Sequence, residues 1–188
     1  MMLRTLSVIS QVCSNDIPSQ TSVIAHDIVL KKPVPIKQYA YWVNPTKREI
    51  MKKEVVYLPQ NGFVVPSSSP WSSPCLLDTK SDGSPRFCTD FRKVNAVTLP
   101  DAHPLPLIDD WIDEIHPANF VSKLDMLKGY WQAPLTQSAS EISAFVTPDG
   151  FFQYTFGLCN APATFQRLVS KVLGVVANCR AYLDDIVV

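Results

Sequence analysis

No run of this sequence approaches the ~20 apolar residues of a membrane-spanning helix, so no membrane association is expected. Nor is one sign of charge in excess, since Lys+Arg and Asp+Glu number 17 each. That balance removes the simplest nucleic-acid signature, although local patches matter more than the total. The five cysteines (13, 75, 88, 159 and 179) are odd in number and contain no CxxC pair. They exclude a disulfide framework and a zinc-binding spacing, and they fit reduced thiols. The segment from Met1 to Ser14 lacks the long apolar core of a signal peptide. An intracellular location, cytoplasmic or nuclear and not secreted, is therefore expected. Internal repeats and low-complexity tracts are also lacking.

What is present describes a globular chain: 188 residues, 46% hydrophobic and 18% charged, enough for one domain or slightly more. Sixteen prolines cluster at 33–35, 59–74 and 100–106 and force extended or looped paths there. Residues 1–24 read as an unstructured leader. His26–Leu30 reads as a short strand. A helix is expected from Pro45, capped by Asn44 and ended by Pro59 and Gly62. The 66–74 stretch reads as a loop anchored by Trp71. Strands are expected at Cys75–Thr79 and Arg86–Asp90, joined by the turn Lys80-Ser81-Asp82-Gly83. A helix over 104–115, a strand over Phe120–Asp125 and a turn or short helix over Gly129–Gln132 follow. A hairpin is then expected from Ile142–Thr147 and Phe151–Phe156. Beyond it, a helix over Ala161–Val175 presents Phe165, Leu168, Val169, Val172 and Val176 on its apolar face. The last strand starts near Arg180. Strands and helices without strict alternation favour an α+β fold.

The chemistry concentrates at Tyr182-Leu183-Asp184-Asp185-Ile186-Val187-Val188. Side chains alternate along a strand, so adjacent Asp184 and Asp185 converge on one point only at a turn. Two acids aimed at one locus suit a hard cation, which takes carboxylate oxygens. Alone, such a pair is an ordinary solvated turn. Asp125, at the end of the run Val121–Asp125, would complete a three-carboxylate cage able to hold two divalent ions. Tyr130 would floor a sugar beside it; the plainer reading makes it a core aromatic.

Six motifs stand in order: Pro66-Ser67-Ser68-Ser69-Pro70-Trp71-Ser72-Ser73-Pro74; Arg86-Phe87-Cys88-Thr89-Asp90-Phe91-Arg92-Lys93-Val94-Asn95; Leu124-Asp125 through Tyr130-Trp131-Gln132; Ala144-Phe145-Val146-Thr147-Pro148-Asp149-Gly150; Phe156-Gly157-Leu158-Cys159-Asn160-Ala161-Pro162-Ala163-Thr164-Phe165-Gln166; and Tyr182-Leu183-Asp184-Asp185. Together they resemble the reverse transcriptase of gypsy-type long-terminal-repeat retrotransposons. The resemblance implies a right-hand polymerase: fingers over 25–104, then an incomplete palm over 105–188, an antiparallel sheet packed on helices. It makes Asp125, Asp184 and Asp185 the catalytic, metal-binding acids and Tyr130 the gate against a ribonucleotide 2′-hydroxyl. It places Arg86 and Lys80 on the triphosphate and Phe156-Gly157 beside the nucleotide. Implied partners are an RNA or DNA template-primer, dNTPs and other Pol segments; the implied cofactor is two Mg²⁺ ions, with Mn²⁺ as substitute. The implied reaction is attack of a primer 3′-hydroxyl on an α-phosphate.

Two departures qualify that implication. The family continues beyond this hairpin with the rest of the palm, a thumb and usually RNase H and integrase domains. Three residues after Asp185 are few to hold two aspartates in place, so the isolated chain is expected to be inactive. Second, the family's Tyr-x-Val-Met-Pro-Phe-Gly-Leu is three residues shorter here, as Tyr154-Thr155-Phe156-Gly157-Leu158. That loss would slip the strand or shorten the next loop. The alternatives are an inactive retroelement remnant and an RNA-binding module using Lys47, Arg48, Lys52 and Lys53.

Overall fold

The structure, a computed structural model, describes residues 20–107, 109, 110, 113, 120–126, 129–155, 161–176 and 178–188. The chain forms two compact units, each assembled from separate stretches. One comprises His26–Pro100 and Leu135–Cys159; the other comprises Met1–Ala25, Asp101–Pro134 and Asn160–Val188. Strands and helices mix without alternation, which is the expected α+β class.

The first unit is built on a five-stranded sheet. Its elements are helix α1 (Pro45–Gln60), strands β1 (Val64–Pro66), β2 (Ser73–Thr79) and β3 (Pro85–Thr89), and helix α2 (Arg92–Val97). After the excursion into the other unit, helix α3 (Gln137–Ile142) and strands β5 (Phe145–Thr147) and β6 (Gly150–Tyr154) return to it. The strand order is β1-β6-β5-β2-β3, with β2 and β5 parallel and the other pairs antiparallel.

Local signals explain most of these boundaries. The Asn44 side chain accepts from Lys47 N–H and Pro45 occupies the first turn, so α1 starts where a cap and a fixed φ coincide. Pro59 does not end it, however. The helix runs to Gln60, because proline fits helical φ and removes only one hydrogen bond this close to the end. Gly62 (φ +73°) then turns the chain. The β2–β3 hairpin turns on Gly83 (φ +82°), whose N–H donates to Lys80 O, while Asp82 accepts from the Ser84 N–H. Trp71 is buried as anticipated, but the 66–74 loop is shortened at both ends by β1 and β2. His26–Leu30 is not a strand: it contributes isolated bridges, His26 to Leu135 and Leu30 to Thr98. The strand expected from Ile142 begins only at Phe145, because Thr136 caps α3 by accepting from Ala139 N–H.

An ion pair ties the first unit's aromatic segment to α2. Asp90 is 9% exposed, accepts from Tyr41 Oη (2.8 Å) and from Arg92 Nη2 (2.7 Å). The Arg92 guanidinium and the Tyr41 hydroxyl hold its carboxyl well below the usual carboxylate range, against the opposing effect of burial. A depressed folded-state pKa gives stability that is complete above about pH 4 and is lost as the pH falls through the folded value. Asp90→Asn is thus expected to cost about 1–3 kcal/mol at neutral pH. The gap between variant and wild type should narrow in urea titrations carried out progressively below pH 4; a constant gap contradicts the assignment.

The second unit holds β4 (Lys123–Asp125), a 3-10 turn (Gly129–Gln132), α4 (Ala161–Leu173), β7 (Arg180–Tyr182) and β8 (Asp185–Val187). Its three-stranded antiparallel sheet has the order β4-β8-β7. Phe165, Leu168, Val169 and Leu173 on α4 bury against Cys179, Ala181 and Ile186. At about 25 cal/mol per Å² of apolar area, such a stripe supplies most of what holds a short sheet to a helix. The helix stops at Leu173, short of Val175, and Val172 is 40% exposed, so the inward stripe is carried by Leu173 in its place. The strand expected over Phe120–Asp125 is confined to Lys123–Asp125, with Phe120 93% exposed. Of the leader expected over 1–24, residues 1–19 lie outside the described residues, as do 108, 111, 112, 114 and 115 of the helix expected over 104–115.

Candidate active site

Strand pairing assigns every side chain of the small sheet to a face. Directly opposed antiparallel residues share a face, and residues two apart along a strand share it too. Leu124, Ile186 and Ala181 are opposed across β4, β8 and β7, and they point into the core under α4. The other face therefore carries Lys123 and Asp125 from β4, Asp185 and Val187 from β8, and Arg180 and Tyr182 from β7. Asp125 lies directly opposite Asp185. One face is apolar and the other is ionic, set by the alternation in Lys123-Leu124-Asp125 and Asp185-Ile186-Val187.

Asp184 stands in the adjoining turn, near enough for its charge to act on Lys123. Tyr182 pairs with Asp185, leaving Leu183 and Asp184 as a two-residue hairpin loop. Leu183 takes φ +55°, a left-handed conformation that costs a leucine about 1–2 kcal/mol. Two contacts hold the turn. The Asp184 carbonyl accepts from Met126 N–H (2.8 Å), stitching the tip to the end of β4. Leu183 N–H donates to Gln166 Oε1 (2.8 Å), and Gln166 Nε2 donates to Ala181 O (2.9 Å). Gln166 is 2% exposed, so its amide bridges the strained turn and strand β7 from inside the core.

The second strand of the hairpin, β8 (Asp185–Val187), is formed. The strand is central, laddered to β4 on one side and β7 on the other. Beyond it, Val188 and Ser122 exchange both backbone hydrogen bonds (2.9 and 3.0 Å). A short strand bonded on both edges is held far better than its length suggests.

Tyr130 stands edge-on to Phe165, with ring centroids 5.3 Å apart and planes at 63°. Its phenol is pushed up, first by burial and then by the nearby Asp184 charge. It is thus both a packed aromatic and a neighbour of the acid hairpin. Gly129 makes that packing possible: a Cβ there would lie 2.7 Å from the Phe165 ring, which is fully buried. Gly129→Ala is expected to destabilise the chain by about 1–3 kcal/mol and displace Tyr130. Urea unfolding measures the first effect, and the Tyr130 ring shifts in NMR measure the second.

Lys123 Nζ lies 3.0 Å from Asp185 Oδ1. Its pKa is pushed up by that hydrogen bond foremost, and also by the charges of Asp125 and Asp184. All three carboxylates thus act on a single ammonium. Among the described residues, no group of three or more His, Cys, Asp or Glu side chains stands close enough together to hold a metal ion. The donor set nevertheless suits a hard divalent ion, being all carboxylate oxygen and gathered on one sheet face and its turn.

The remaining predicted residues are placed as follows. Lys80 and Arg86 belong to the first unit, both exposed, at the start of the β2–β3 turn and on β3 opposite Asp78. Phe156 and Gly157 lie outside the described residues. Strand β6 is paired with β1 through Tyr154 and with β5 through Phe152; the loop after it, where the three-residue shortening falls, also lies outside them. In the basic set on α1, Arg48 is engaged by Asp149 at 2.7 Å. Sequence reasoning assigned no role to Gln166 or to Lys123. A glycine-free turn between two strands was the available signal for the first, since such a turn needs external support.

The fold, a mixed α+β chain ending in an acid-tipped hairpin on a small antiparallel sheet, defines the class: a fingers-and-palm polymerase fold. The chain belongs to the reverse transcriptase (RNA-dependent DNA polymerase) family, whose model matches residues 79–188. It is 32% identical over 178 residues to the retrovirus-related Pol polyprotein from transposon 297 of Drosophila melanogaster, matching 89% of this chain and 17% of that protein. To the Pol polyprotein from transposon gypsy of the same fly it is 33% identical over 165 residues, covering 82% of this chain and 16% of the relative. The chain therefore spans about a sixth of the length of these relatives. In fold it is similar to the foamy viral protease-reverse transcriptase solved in complex with an RNA/DNA hybrid, with TM-score 0.80, 20% identity, and coverage of 99% of this chain and 26% of that one.

Proposed function

We propose that this chain carries the nucleotidyl-transfer site of an RNA-directed DNA polymerase. The observation that supports it best is that Asp125 lies opposite Asp185 on the ionic face of a sheet whose other face packs on α4, with Asp184 in the adjoining turn. In this reading Asp125, Asp184 and Asp185 hold divalent ions, Mg²⁺ by preference. Bound there, the ions supply charge neutralisation at the transferred phosphate and lower the pKa of the attacking hydroxyl. The chain's own part is positional. The ladder and the Gln166 bridge fix the acids before substrate arrives, which is worth several kcal/mol of barrier where tolerance is near an ångström. Tyr130, wedged against Phe165 and beside Asp184, serves as the wall under the sugar. Arg86 and Lys80 are assigned to the triphosphate, for which a planar fork and a mobile ammonium are suited. Template base pairing reads the sequence, so no base-specific contacts are needed.

The fingers role goes to 25–104 and the palm role to 105–188, with the difference that Leu135–Cys159 belongs to the same compact unit as His26–Pro100; template-primer and dNTPs are the partners. That a relative in fold is solved with an RNA/DNA hybrid supports a hybrid duplex as product. An intracellular site of action accompanies this reading. No helix among the described residues is long and apolar enough to cross a membrane. The RNA-binding reading is weaker, because Arg48 is already neutralised by Asp149.

The test is primer extension on poly(rA)/oligo(dT) with Mg²⁺, comparing the chain with Asp184→Asn/Asp185→Asn. Extension that disappears in the variant supports the proposal. Equal extension in both, or none from the demonstrably folded chain, contradicts it and favours the inactive-remnant reading.

A further inference from the structure

One cation already stands in the acid cluster, and it belongs to the protein. We propose that Lys123 is the resident counter-ion of Asp125, Asp184 and Asp185, and that it sets their affinity for a divalent cation by competing for Asp185. The inference rests on the carboxylate-site reading above and goes beyond it by adding a residue that the reaction does not require.

The geometry is dictated by the sheet. Lys123 and Asp125 are two apart on β4 and so share its ionic face; Asp185 is the residue opposite Asp125. Lys123 therefore sits diagonally from Asp185, within reach of a long side chain, and the ammonium closes to 3.0 Å. Opposite Lys123 is Val187, which offers no competing acceptor. The other charged group on that face, Arg180 on β7, directs Nη1 to the Cys179 carbonyl (3.0 Å). Lys123 is thus the ammonium placed among the acids.

Exposure makes the contact reversible. The side chains of Lys123 and Asp185 are 62% and 40% exposed, so the pair is hydrated and weak, and its lysine can swing into water. While it stays, it turns an Asp185 oxygen toward itself, consistent with the acids not standing close enough together to hold a metal ion. A divalent ion entering the cluster must displace the ammonium from Asp185 or tolerate a like charge beside it. Both lower its affinity. Removal of Lys123 should therefore tighten ion binding, by about three- to tenfold, the range of an exposed ion pair.

The experiment is a Mn²⁺ titration of the full chain at fixed ionic strength, reading free Mn²⁺ by electron paramagnetic resonance. Wild type, Lys123→Met, Lys123→Arg and Asp185→Asn are compared, each checked for folding by circular dichroism. The proposal expects Lys123→Met to bind three- to tenfold more tightly and Lys123→Arg no more tightly than wild type. Unchanged or weaker binding by Lys123→Met, with wild-type binding still lost in Asp185→Asn, overturns the proposal and leaves the site reading intact. Wild-type binding that does not depend on Asp185 removes both.

Discussion

In any form of the protein that extends a primer, Asp185→Asn is expected to reduce metal-dependent extension by about 10³-fold or more while leaving this chain as stable as before. The first half follows from charge. A carboxylate that holds a divalent ion against a developing phosphate charge contributes several kcal/mol to the transition state, and each 1.36 kcal/mol is a factor of ten. An amide retains the shape and loses the charge. The second half follows from where Asp185 stands. Its backbone, not its side chain, makes the ladder with Tyr182 and Asp125. The side chain is 40% exposed and, among the described residues, is paired with an exposed lysine. A change of that kind stays within about 0.5 kcal/mol. Parallel urea unfolding and extension assays separate the two halves. A large loss of stability would make Asp185 structural, and retained extension would remove it from the chemistry.

Gln166→Ala should do the reverse and disturb both fold and site. Truncation leaves Leu183 N–H and Ala181 C=O without their partner inside a buried region, at about 1–3 kcal/mol for an orphaned group, and opens a cavity in addition. It also releases a turn residue held at positive φ. The expected cost is about 2–4 kcal/mol in urea unfolding, with weaker Mn²⁺ binding even under conditions where the variant is fully folded. Gln166→Glu provides the control for a positioning role. It keeps an acceptor for Leu183 N–H but no donor for Ala181 O, so it should recover part of the ion affinity. A Gln166→Ala variant that binds Mn²⁺ as wild type does would reduce Gln166 to a packing residue.

The parts of this account that were legible in the sequence are those with local causes. Asn44-Pro45 signals a helix start by itself, Lys80-Ser81-Asp82-Gly83 signals a tight turn, and the spacing of Phe165, Leu168 and Val169 signals a buried stripe. The pairing of acids at a turn was readable from Asp184-Asp185, because alternation forbids convergence within a strand. What remained hidden depends on partners distant in sequence. The strength of β8 comes from β4 lying alongside it, and no inspection of Ile186-Val187-Val188 shows that neighbour. Gln166 looks like any helix glutamine until its amide is seen to reach Leu183. The Thr136 cap starts α3, which runs to Ile142 and delays the next strand to Phe145, a boundary that the apolar run Ile142–Thr147 does not show. β5 and β6 join β2 and β1 through hydrogen bonds across long stretches of chain, which composition does not reveal.

The central claim is that Asp125, Asp184 and Asp185 act as one cation site on one sheet face. Paramagnetic broadening tests it most directly: substoichiometric Mn²⁺ is added to the ¹⁵N-labelled chain and amide signal loss is mapped along the sequence. The account predicts selective loss at residues 123–126 and 182–187 together, reversed by excess Mg²⁺ and absent in Asp125→Asn. Uniform broadening, or broadening centred on other acids such as Asp149 or Asp101, would contradict it.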